Sequence, residues 1–279
     1  MGHGLLDYRA FGPLRKKPRT ANDCLRLPHP FVLSESGDSK HCRHHAHTQR
    51  GVSLVLISVH LPKAAGTSFG AALEAYFGES LLRDYGDMPI NTPPYDRNKA
   101  ALQRSIENAE AELPGVKCIH GHFLPVKYLL LSRRQNTDFV TWLRHPVERA
   151  VSHFYFWQRS FDPTTSPPLH RRVMEERWSL ERFCLGPELR NLYSQFLFGF
   201  PLEYFAFIGI SEFYNHDFEF FTRAYLGASI EPSKLNVGNA AGRNYEISDT
   251  LRSDISRFHS EDMNLYQRAL AIRDQRCSA

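Results

Sequence analysis

The sequence predicts an α/β fold, with a mainly parallel sheet flanked by helices on both faces. Short apolar runs rich in leucine and β-branched residues recur along the chain, and such runs are typical of strands buried on both sides. Stretches with apolar residues at helical spacing separate these runs. Alternating strands and helices are typical of parallel sheets, whose ligands bind at the carboxyl ends of the strands. The predicted strands are 52–59, 116–119, 139–143 and 205–210.

The first strand leads through a short turn into a predicted helix at 69–77. Its apolar residues lie three and four positions apart, which places them on one face of a helix. Gly78 follows them and is the residue type that most often ends a helix. The residues of this apolar face are Phe69, Ala72, Leu73, Tyr76 and Phe77.

Further predicted helices join and follow the other strands. Pro146 stands where a first helical residue would be, a position at which the missing N–H of proline costs nothing. Ser260 is the predicted N-cap of the last helix. Loops rich in proline or asparagine are predicted at 87–98 and 161–168. The predicted helices are 99–112, the segment that begins at Pro146, 171–199, 213–226, 248–258 and 260–273.

The net charge of +4 is concentrated at the N-terminus. Residues 1–50 hold nine Lys or Arg and four Asp or Glu, so the rest of the chain carries a net charge of −1. We therefore predict a basic extension at 1–50, disordered or extraneous to the fold, and a single domain at 51–279. That domain lacks the excess of basic residues that nucleic-acid binding requires, so no nucleic-acid partner is expected.

The five cysteines are scattered and include no C-x-x-C pair, which is typical of reduced thiols rather than of disulfides or zinc sites. No run reaches the roughly 18 apolar residues that a membrane-spanning helix needs. The N-terminus also lacks the apolar core of a secretory signal. We therefore expect a cytoplasmic protein without an integral membrane segment, and the oligomeric state is left open.

The turn between the first strand and the first helix has the sequence Pro62-Lys-Ala-Ala-Gly-Thr-Ser68. A turn that opens a helix points free backbone N–H groups and the positive end of the helix dipole at one spot, which favours an anion. Lys63 adds a positive charge, and Thr67 and Ser68 add hydroxyl groups. These residues predict an anion-binding turn. The alternative is an ordinary strand-to-helix connection that happens to contain Gly and Lys.

Reactive polar side chains follow three of the predicted strands. Since the carboxyl ends of parallel strands meet at one edge of a sheet, we expect these groups in one crevice. Two separate cations and a histidine suit a ligand with two phosphate-like groups and a reaction that needs a proton acceptor. The side chains are Lys63 after the first strand, His120 and His122 after the second, and Arg144 after the third, with Ser152 on the helix that follows.

Three motifs resemble those of the sulfotransferases that use 3′-phosphoadenylyl sulfate (PAPS). The turn at 62–68 is similar to their 5′-phosphosulfate loop. Leu143-Arg-His-Pro-Val-Glu-Arg-Ala-Val-Ser152 is similar to their 3′-phosphate motif. Ile119-His-Gly-His-Phe123 resembles the His-Gly-His of the carbohydrate branch, which includes the heparan 2-O-sulfotransferases and many bacterial homologues. The resemblance covers about residues 52–272.

The resemblance implies a P-loop-NTPase-like sheet and a sulfotransferase that moves a sulfuryl group from PAPS to an acceptor hydroxyl. The acceptor would be a carbohydrate or another hydroxylated metabolite, PAPS would leave as adenosine 3′,5′-bisphosphate, and no metal would be required. Lys63 would neutralise charge on the bridging oxygen, while Arg144 and Ser152 would hold the 3′-phosphate. The donor-binding residues implied in this way are Pro62, Lys63, Ala64, Ala65, Gly66, Thr67, Ser68, Arg144 and Ser152.

The resemblance also implies that a histidine takes the proton from the acceptor hydroxyl. An unperturbed histidine pKa near 6.5 suits a base at neutral pH. The sequence leaves the choice between His120 and His122 open, and we favour His122. Weaker similarities to the family lie at 191–195, 208–212, 234–237 and 262–269.

Two other functions are alternatives. A P-loop kinase or NTPase needs a Lys directly after the second Gly of its loop and an Asp for Mg²⁺ at a neighbouring strand end. Here Lys63 precedes Gly66, and the strand at 139–143 leads to Arg144. A non-catalytic relative that binds nucleotides or glycans is the second alternative, although it would not need the two histidines.

Some candidates also have purely structural interpretations. Arg144 could pair with Glu148 instead of an anion. The aromatic cluster at 154–157 is expected in the core, although Trp157 and Arg159 could face an acceptor. His145 stands where many relatives have Asp, next to the predicted 3′-phosphate arginine. The acceptor side matches the family poorly, so no specific glycan is predicted.

Overall fold

A computed structural model describes residues 54–133, 135–230 and 245–278. Within these residues five strands form one sheet in the order β2-β3-β1-β4-β5, and every neighbouring pair is parallel. The prediction of a mainly parallel sheet is therefore confirmed. The strands are β1 (Leu54–Val59), β2 (Leu81–Asp84), β3 (Cys118–Gly121), β4 (Asn136–Leu143) and β5 (Phe205–Ile210).

Both faces of the sheet are covered. Successive residues of a strand point to opposite faces. Every residue from Val55 to Val59 in β1 is buried, and so is every residue of β3. Helices flank this central part of the sheet, as the alternation in the sequence predicts. They are α1 (Gly66–Phe77), α2 (Pro94–Asn108), α3 (Pro146–Ser160), α4 (Pro168–Glu175), α5 (Leu180–Cys184), α6 (Leu192–Phe196), α7 (Tyr214–Phe221), α8 (Asp249–Phe258) and α9 (Ser260–Ser278).

Helix boundaries agree with the sequence best where proline or glycine marks them. Helix α3 begins at Pro146, and α1 ends before Gly78, whose φ of 52° suits glycine. Helix α1 begins at Gly66, three residues earlier than its apolar pattern indicates, because the polar end of the turn is already helical. Helix α2 begins at Pro94, so the loop predicted at 87–98 is shorter than expected.

Two predictions of secondary structure were wrong, and one strand was not predicted. The strand β2 was missed because it is short, lies at the sheet edge and ends in the charged pair Arg83 and Asp84. The helix predicted at 171–199 is divided into α4, α5 and α6. Ser260 is not the N-cap of the last helix but the first residue of α9. The hydroxyl of Ser248, in contrast, accepts the Leu251 N–H and caps α8.

The prediction for residues 1–50 and the weak similarity at 234–237 lie outside the described residues. Across 54–133, 135–230 and 245–278, the structure contains no helix of sufficient length and apolarity to span a bilayer.

A buried carboxylate ties the C-terminal helix to the sheet. Asp217 on α7 is fully buried and accepts the N–H of Ile210, the last residue of β5, at 2.9 Å. Arg273 Nε and Arg276 Nη2 on α9 lie 2.9 Å and 3.1 Å from Asp217 Oδ1. The two ion pairs fix α9 against the end of β5.

The edge strand β2 approaches β3 closely at Gly121, between the two histidines of the His-Gly-His motif. A Cβ at Gly121 would lie 1.7 Å from the carbonyl oxygen of Asp84. Backbone atoms cannot move aside as a flexible side chain can, so the pairing of β2 and β3 requires glycine here.

We expect Gly121→Ala to lower the free energy of unfolding by about 1–3 kcal/mol, because overpacking forces β2 away from β3. Urea denaturation followed by circular dichroism measures this change. Gly86→Ala is a matched control, since a Cβ at Gly86 would meet no atom within 4 Å. Equal stability of the two variants would contradict the close approach of the strands.

Candidate active site

The candidate residues follow three strands that are neighbours in the sheet. The order β3-β1-β4 brings the segments after Gly121, Val59 and Leu143 to one edge. The connection after β1 leads to β2 on one side of the sheet, whereas the connection after β4 leads to β5 on the other side. A crevice is therefore expected between the carboxyl ends of β1 and β4. Lys63, His122 and Arg144 therefore share one edge of the sheet, as the sequence predicts.

The turn after β1 has a strained backbone. Lys63 and Ala65 have φ values of 64° and 61°, which residues other than glycine seldom adopt. Ala65 directly precedes Gly66, the first residue of α1, and a left-handed residue before a right-handed one directs consecutive N–H groups at one point. The first N–H groups of a helix have no partner within it. The turn therefore has the backbone geometry of an anion-binding site.

The side chains of this turn differ in burial. The N–H of Ala64 donates to the Leu61 carbonyl at 3.3 Å, which closes the turn. Pro62 and Ala64 are buried, Ser68 is also buried, and Thr67 is exposed. Of the two hydroxyls predicted to bind an anion, the one on Thr67 is therefore open to solvent.

The ring of His60 leaves room only for glycine at position 66, a contact that the sequence did not indicate. A Cβ at this position would lie between 1.8 Å and 2.6 Å from three ring atoms of His60. The His60 ring thus lies directly against the first turn of α1. A side chain at Gly66 would displace either this ring or the start of the helix.

Lys63 lies among other cations. Its Nζ is 4.0 Å from the centre of the Phe156 ring on α3. Burial, together with the charges of Arg144 and Arg159, lowers the pKa of Lys63 to about 8. The positive charges of Lys63, Arg144 and Arg159 therefore interact with one another near the turn. An anion bound there would favour the protonated form of Lys63.

Arg144 does not make the ion pair with Glu148 that was its alternative role. Glu148 pairs with Arg252 of α8 instead. Within the described ranges the Arg144 guanidinium makes no ion pair and donates no hydrogen bond. The side chain is half-buried, so its charge is available to a ligand.

The backbone of Arg144, in contrast, is tightly held. The Tyr193 hydroxyl accepts the Arg144 N–H at 3.0 Å and donates to the Arg144 carbonyl at 2.7 Å. The Ser211 hydroxyl donates to the Leu143 carbonyl at 2.9 Å. The Glu212 carboxylate accepts the His145 N–H at 2.8 Å.

Ser152 lies on the face of α3 that is directed at the turn. It is 4% exposed, and Phe156, whose ring contacts the Lys63 ammonium, follows it by one helical turn. Arg159 continues the same face. The predicted serine therefore lies one helical turn from the ring that contacts Lys63.

His122 has a defined hydrogen-bonding state. Its Nδ1 lies 2.5 Å from the His60 carbonyl oxygen. Because a carbonyl can only accept, Nδ1 carries the hydrogen, and the neutral ring keeps a lone pair on Nε2. Burial lowers the pKa of His122, although the hydrogen bond to His60 opposes this effect. The half-buried ring is therefore a neutral proton acceptor at pH 7.

His120 is enclosed instead. It lies within β3 rather than after it and is 3% exposed. Its Nδ1 is 2.8 Å from the Ser58 hydroxyl, and a Cβ at Gly70 of α1 would lie 2.6 Å from its Nε2. Burial, with smaller contributions from His122 and Arg83, lowers the pKa of His120 to about 3. The structure therefore distinguishes the two histidines, which sequence alone could not.

His60 is a functional candidate that sequence reasoning missed. Its ring centre lies 4.2 Å from that of His122 and 5.2 Å from that of His120. Its Nδ1 is 2.9 Å from the Tyr85 hydroxyl. Burial, followed by the charges of its histidine neighbours and Lys63, lowers the pKa of His60 well below its usual value. In the sequence, only the position of His60 between β1 and the turn could have indicated it as a candidate.

The segment that carries Tyr85 is held by buried ion pairs. Lys127 Nζ lies 2.7 Å from Asp84 Oδ2 and 2.9 Å from Asp87 Oδ2. Burial raises the pKa of Tyr85 to about 12, so its hydroxyl stays protonated beside His60. These contacts fix the side of the crevice that belongs to β2.

The carboxylates near this edge already have partners. Asp84 pairs with Lys127, and Glu212 accepts the His145 N–H. In the part of the chain that the structure describes, no cluster of three or more His, Cys, Asp or Glu could hold a metal ion. The positive charge near the turn comes from Lys63 and the two arginines.

Of the two side chains considered for an acceptor, Trp157 belongs to the core. It is 7% exposed, and its ring stacks on His170 at 4.7 Å. Arg159 is exposed and donates to the Tyr245 hydroxyl at 3.2 Å. Arg159 alone of this pair therefore extends the cationic surface near Lys63.

We expect the free energy of unfolding to fall as the pH drops below about 6.5. Burial lowers the folded-state pKa of several histidines, to about 3 at His120 and about 4 at His259, so the unfolded chain takes up protons first. Each such histidine contributes up to about 1.4 kcal/mol per pH unit. Urea titrations at pH values between about 5 and 8 measure the slope.

The fully buried His153, whose pKa is also lowered by burial, offers a control for this slope. The His153→Leu variant removes one such proton, so its stability should depend less steeply on pH below 6.5. An unchanged slope would mean that His153 is protonated in the folded state.

The site combines a turn with the backbone geometry of an anion-binding site, a second cation that makes no ion pair among the described residues, and a neutral histidine whose Nε2 keeps its lone pair. No protein-family model matches the chain, and no curated protein matches it. The function is therefore inferred from the hydrogen bonds, charges and burial of these residues.

Proposed function

We propose that the chain is a PAPS-dependent sulfotransferase with a P-loop-NTPase-like sheet. One arrangement carries the proposal: cations at the ends of the neighbouring strands β1 and β4 lie beside a neutral histidine that follows β3, the strand on the other side of β1. Lys63 and Arg144 are both without carboxylate partners among the described residues. His122 offers Nε2 as a proton acceptor because its Nδ1 donates to the His60 carbonyl.

The distribution of charge fits a donor with two separate anionic groups. The turn at 62–68, with its convergent N–H groups and Lys63, would hold the 5′-phosphosulfate. Arg144 and the buried Ser152 would hold the 3′-phosphate. A nucleotide without a 3′-phosphate would leave the Arg144 charge unneutralised.

The chain's own groups would then carry out an in-line transfer, for which PAPS supplies the activated sulfuryl group. His122 Nε2 takes the proton as the acceptor O–H bond breaks and the acceptor oxygen bonds to sulfur. Lys63 neutralises the bridging oxygen, which receives the electron pair as its bond to sulfur breaks. The products are a sulfate ester, adenosine 3′,5′-bisphosphate and the protonated histidine, which returns its proton to solvent.

Lys63 and Arg144 provide the charge that this reaction needs, so the proposal requires no metal ion. His120 would act as a supporting residue rather than as the base, since it is enclosed between Ser58 and Gly70. The acceptor would be a hydroxyl-bearing metabolite, with a carbohydrate as the first candidate. The scattered cysteines favour a cytoplasmic location, as the sequence predicts.

The kinase alternative is less well supported. In the described part of the chain β4 leads to Arg144, and the carboxylates at the ends of β2 and β5 are engaged by Lys127 and the His145 N–H. A Mg²⁺-nucleotide would need a free carboxylate near the turn. A purely binding relative would have no need for a neutral histidine with a free lone pair on Nε2.

We expect His122→Ala to lower the rate of sulfate transfer by about 100-fold or more, the usual scale for a general base. The Kd for adenosine 3′,5′-bisphosphate should change less than about twofold, because His122 is not placed among the phosphate-binding groups. Transfer of labelled sulfate from PAPS to a panel of glycans and metabolites measures the rate.

His120→Asn is the matched variant, since the amide can keep the hydrogen bond to Ser58. It should retain most of the activity. Loss of activity in His120→Asn with full activity in His122→Ala would reverse the assignment of the base.

Adenosine 3′,5′-bisphosphate should raise the melting temperature more than ATP with Mg²⁺ does. A ligand at about 100 times its Kd stabilises a protein by about 2.7 kcal/mol, which is a shift of about 5–11 °C for a domain of this size. Differential scanning fluorimetry measures both shifts. Stabilisation by ATP with Mg²⁺ alone would refute the sulfotransferase proposal in favour of the kinase.

A further inference from the structure

One hydroxyl group satisfies both polar backbone groups of Arg144. The Tyr193 hydroxyl accepts the Arg144 N–H at 3.0 Å and donates to the Arg144 carbonyl at 2.7 Å. A hydroxyl has one hydrogen to donate and lone pairs to accept with, so it can make both bonds at once. A phenylalanine ring of the same shape could make neither of them.

Tyr193 is itself fixed by a buried carboxylate on α9. The N–H groups of Tyr193 and Ser194 donate to Asp262 Oδ2 and Oδ1, both at 3.0 Å. Asp262 and Tyr193 are both fully buried. The hydroxyl therefore sits on a rigid support rather than on a mobile loop.

The positive charge of Arg149 acts on this carboxylate, although its guanidinium nitrogens have no hydrogen-bond partner among the described residues. Burial raises the pKa of Asp262, and the charge of Arg149 opposes that effect. Arg149 is fully buried on α3, and its guanidinium carbon lies 5.8 Å from the centre of the Tyr193 ring. Buried charges often stabilise a fold less than apolar residues of similar size would. A role in positioning Tyr193 therefore explains the buried Asp262 and Arg149 better than a contribution to stability does.

The residues on either side of Arg144 are held in the same way. Ser211 donates to the Leu143 carbonyl, and Glu212 accepts the His145 N–H. Three successive residues thus have their backbone fixed by side chains from other elements. The Arg144 guanidinium, in contrast, has no ion-pair partner within the described ranges.

We propose that Tyr193 is a positioning residue that aims Arg144 at the 3′-phosphate of the donor. This inference rests on the proposed function. The Tyr193 hydroxyl bonds to the backbone of Arg144, and its effect passes through the position of that guanidinium. Losing the hydroxyl therefore weakens the contact to a 3′-phosphate and leaves the contacts made by the turn at 62–68 intact.

The experiment compares two ligands in the Tyr193→Phe variant of the full chain by isothermal titration calorimetry. Adenosine 3′,5′-bisphosphate carries the 3′-phosphate, and AMP lacks it. We expect the Kd for the bisphosphate to rise about tenfold or more and the Kd for AMP to change less than about twofold. The KM for PAPS should rise in parallel, with kcat changed less than about threefold.

Tyr214→Phe is the matched control. The Tyr214 hydroxyl is also buried, but it has no hydrogen-bond partner among the described residues. This variant should bind both ligands as the unmodified protein does. Ser211→Ala is a milder second variant, which removes one part-buried bond from the same segment and should show the same selective loss on a smaller scale.

The outcomes separate this inference from the proposed function. An unmodified protein that binds the bisphosphate no more tightly than AMP would overturn the proposed function. A preference for the bisphosphate that is unchanged in Tyr193→Phe would overturn the positioning role alone. An equal loss for both ligands would also overturn it, since that result indicates general loosening of the fold. If Tyr193→Phe does not fold, the selectivity of Ser211→Ala decides the question.

Discussion

The backbone at the end of a strand must find hydrogen-bond partners, and at Arg144 a single side-chain hydroxyl, that of Tyr193, bonds to both polar groups. Tyr193, Ser211 and Glu212 reach this segment from the parts of the chain that follow it. Tyr193 depends on Asp262 of α9, and α9 is held by Asp217 at the end of β5. The packing of the C-terminal half is therefore organised around one fixed position at the end of β4.

The electrostatics of the crevice follow from two opposing effects. Lys63, Arg144 and Arg159 bring positive charges together, while burial keeps His60, His120 and His122 neutral. If these histidines were also charged, the repulsion would be far greater. The site thus concentrates positive charge on long side chains around the turn, while its buried imidazoles stay uncharged near neutral pH.

Local sequence patterns predicted much of the fold and of the candidate site. Short-range preferences correctly predicted three features: the strand at 205–210, the helix start at Pro146 and the glycine at the end of α1. Strand β2 was missed because an edge strand of four residues lacks a strong apolar pattern. His120 and His122 could not be told apart, since their difference arises from Ser58 and the His60 carbonyl, both 62 positions away. The partners of Arg144 are similarly remote, so no local motif identifies them.

The contact between His60 and Gly66 joins the two halves of the crevice. The same residue packs its ring against the start of α1 and offers its carbonyl to His122. Positions 60 and 66 therefore cannot diverge independently: a larger residue at 66 requires a smaller one at 60. A smaller residue at 60 would in turn remove the ring that packs beside His122. Variation in the turn at 62–68 is thereby constrained by His60, which precedes the turn in the sequence and packs against its Gly66.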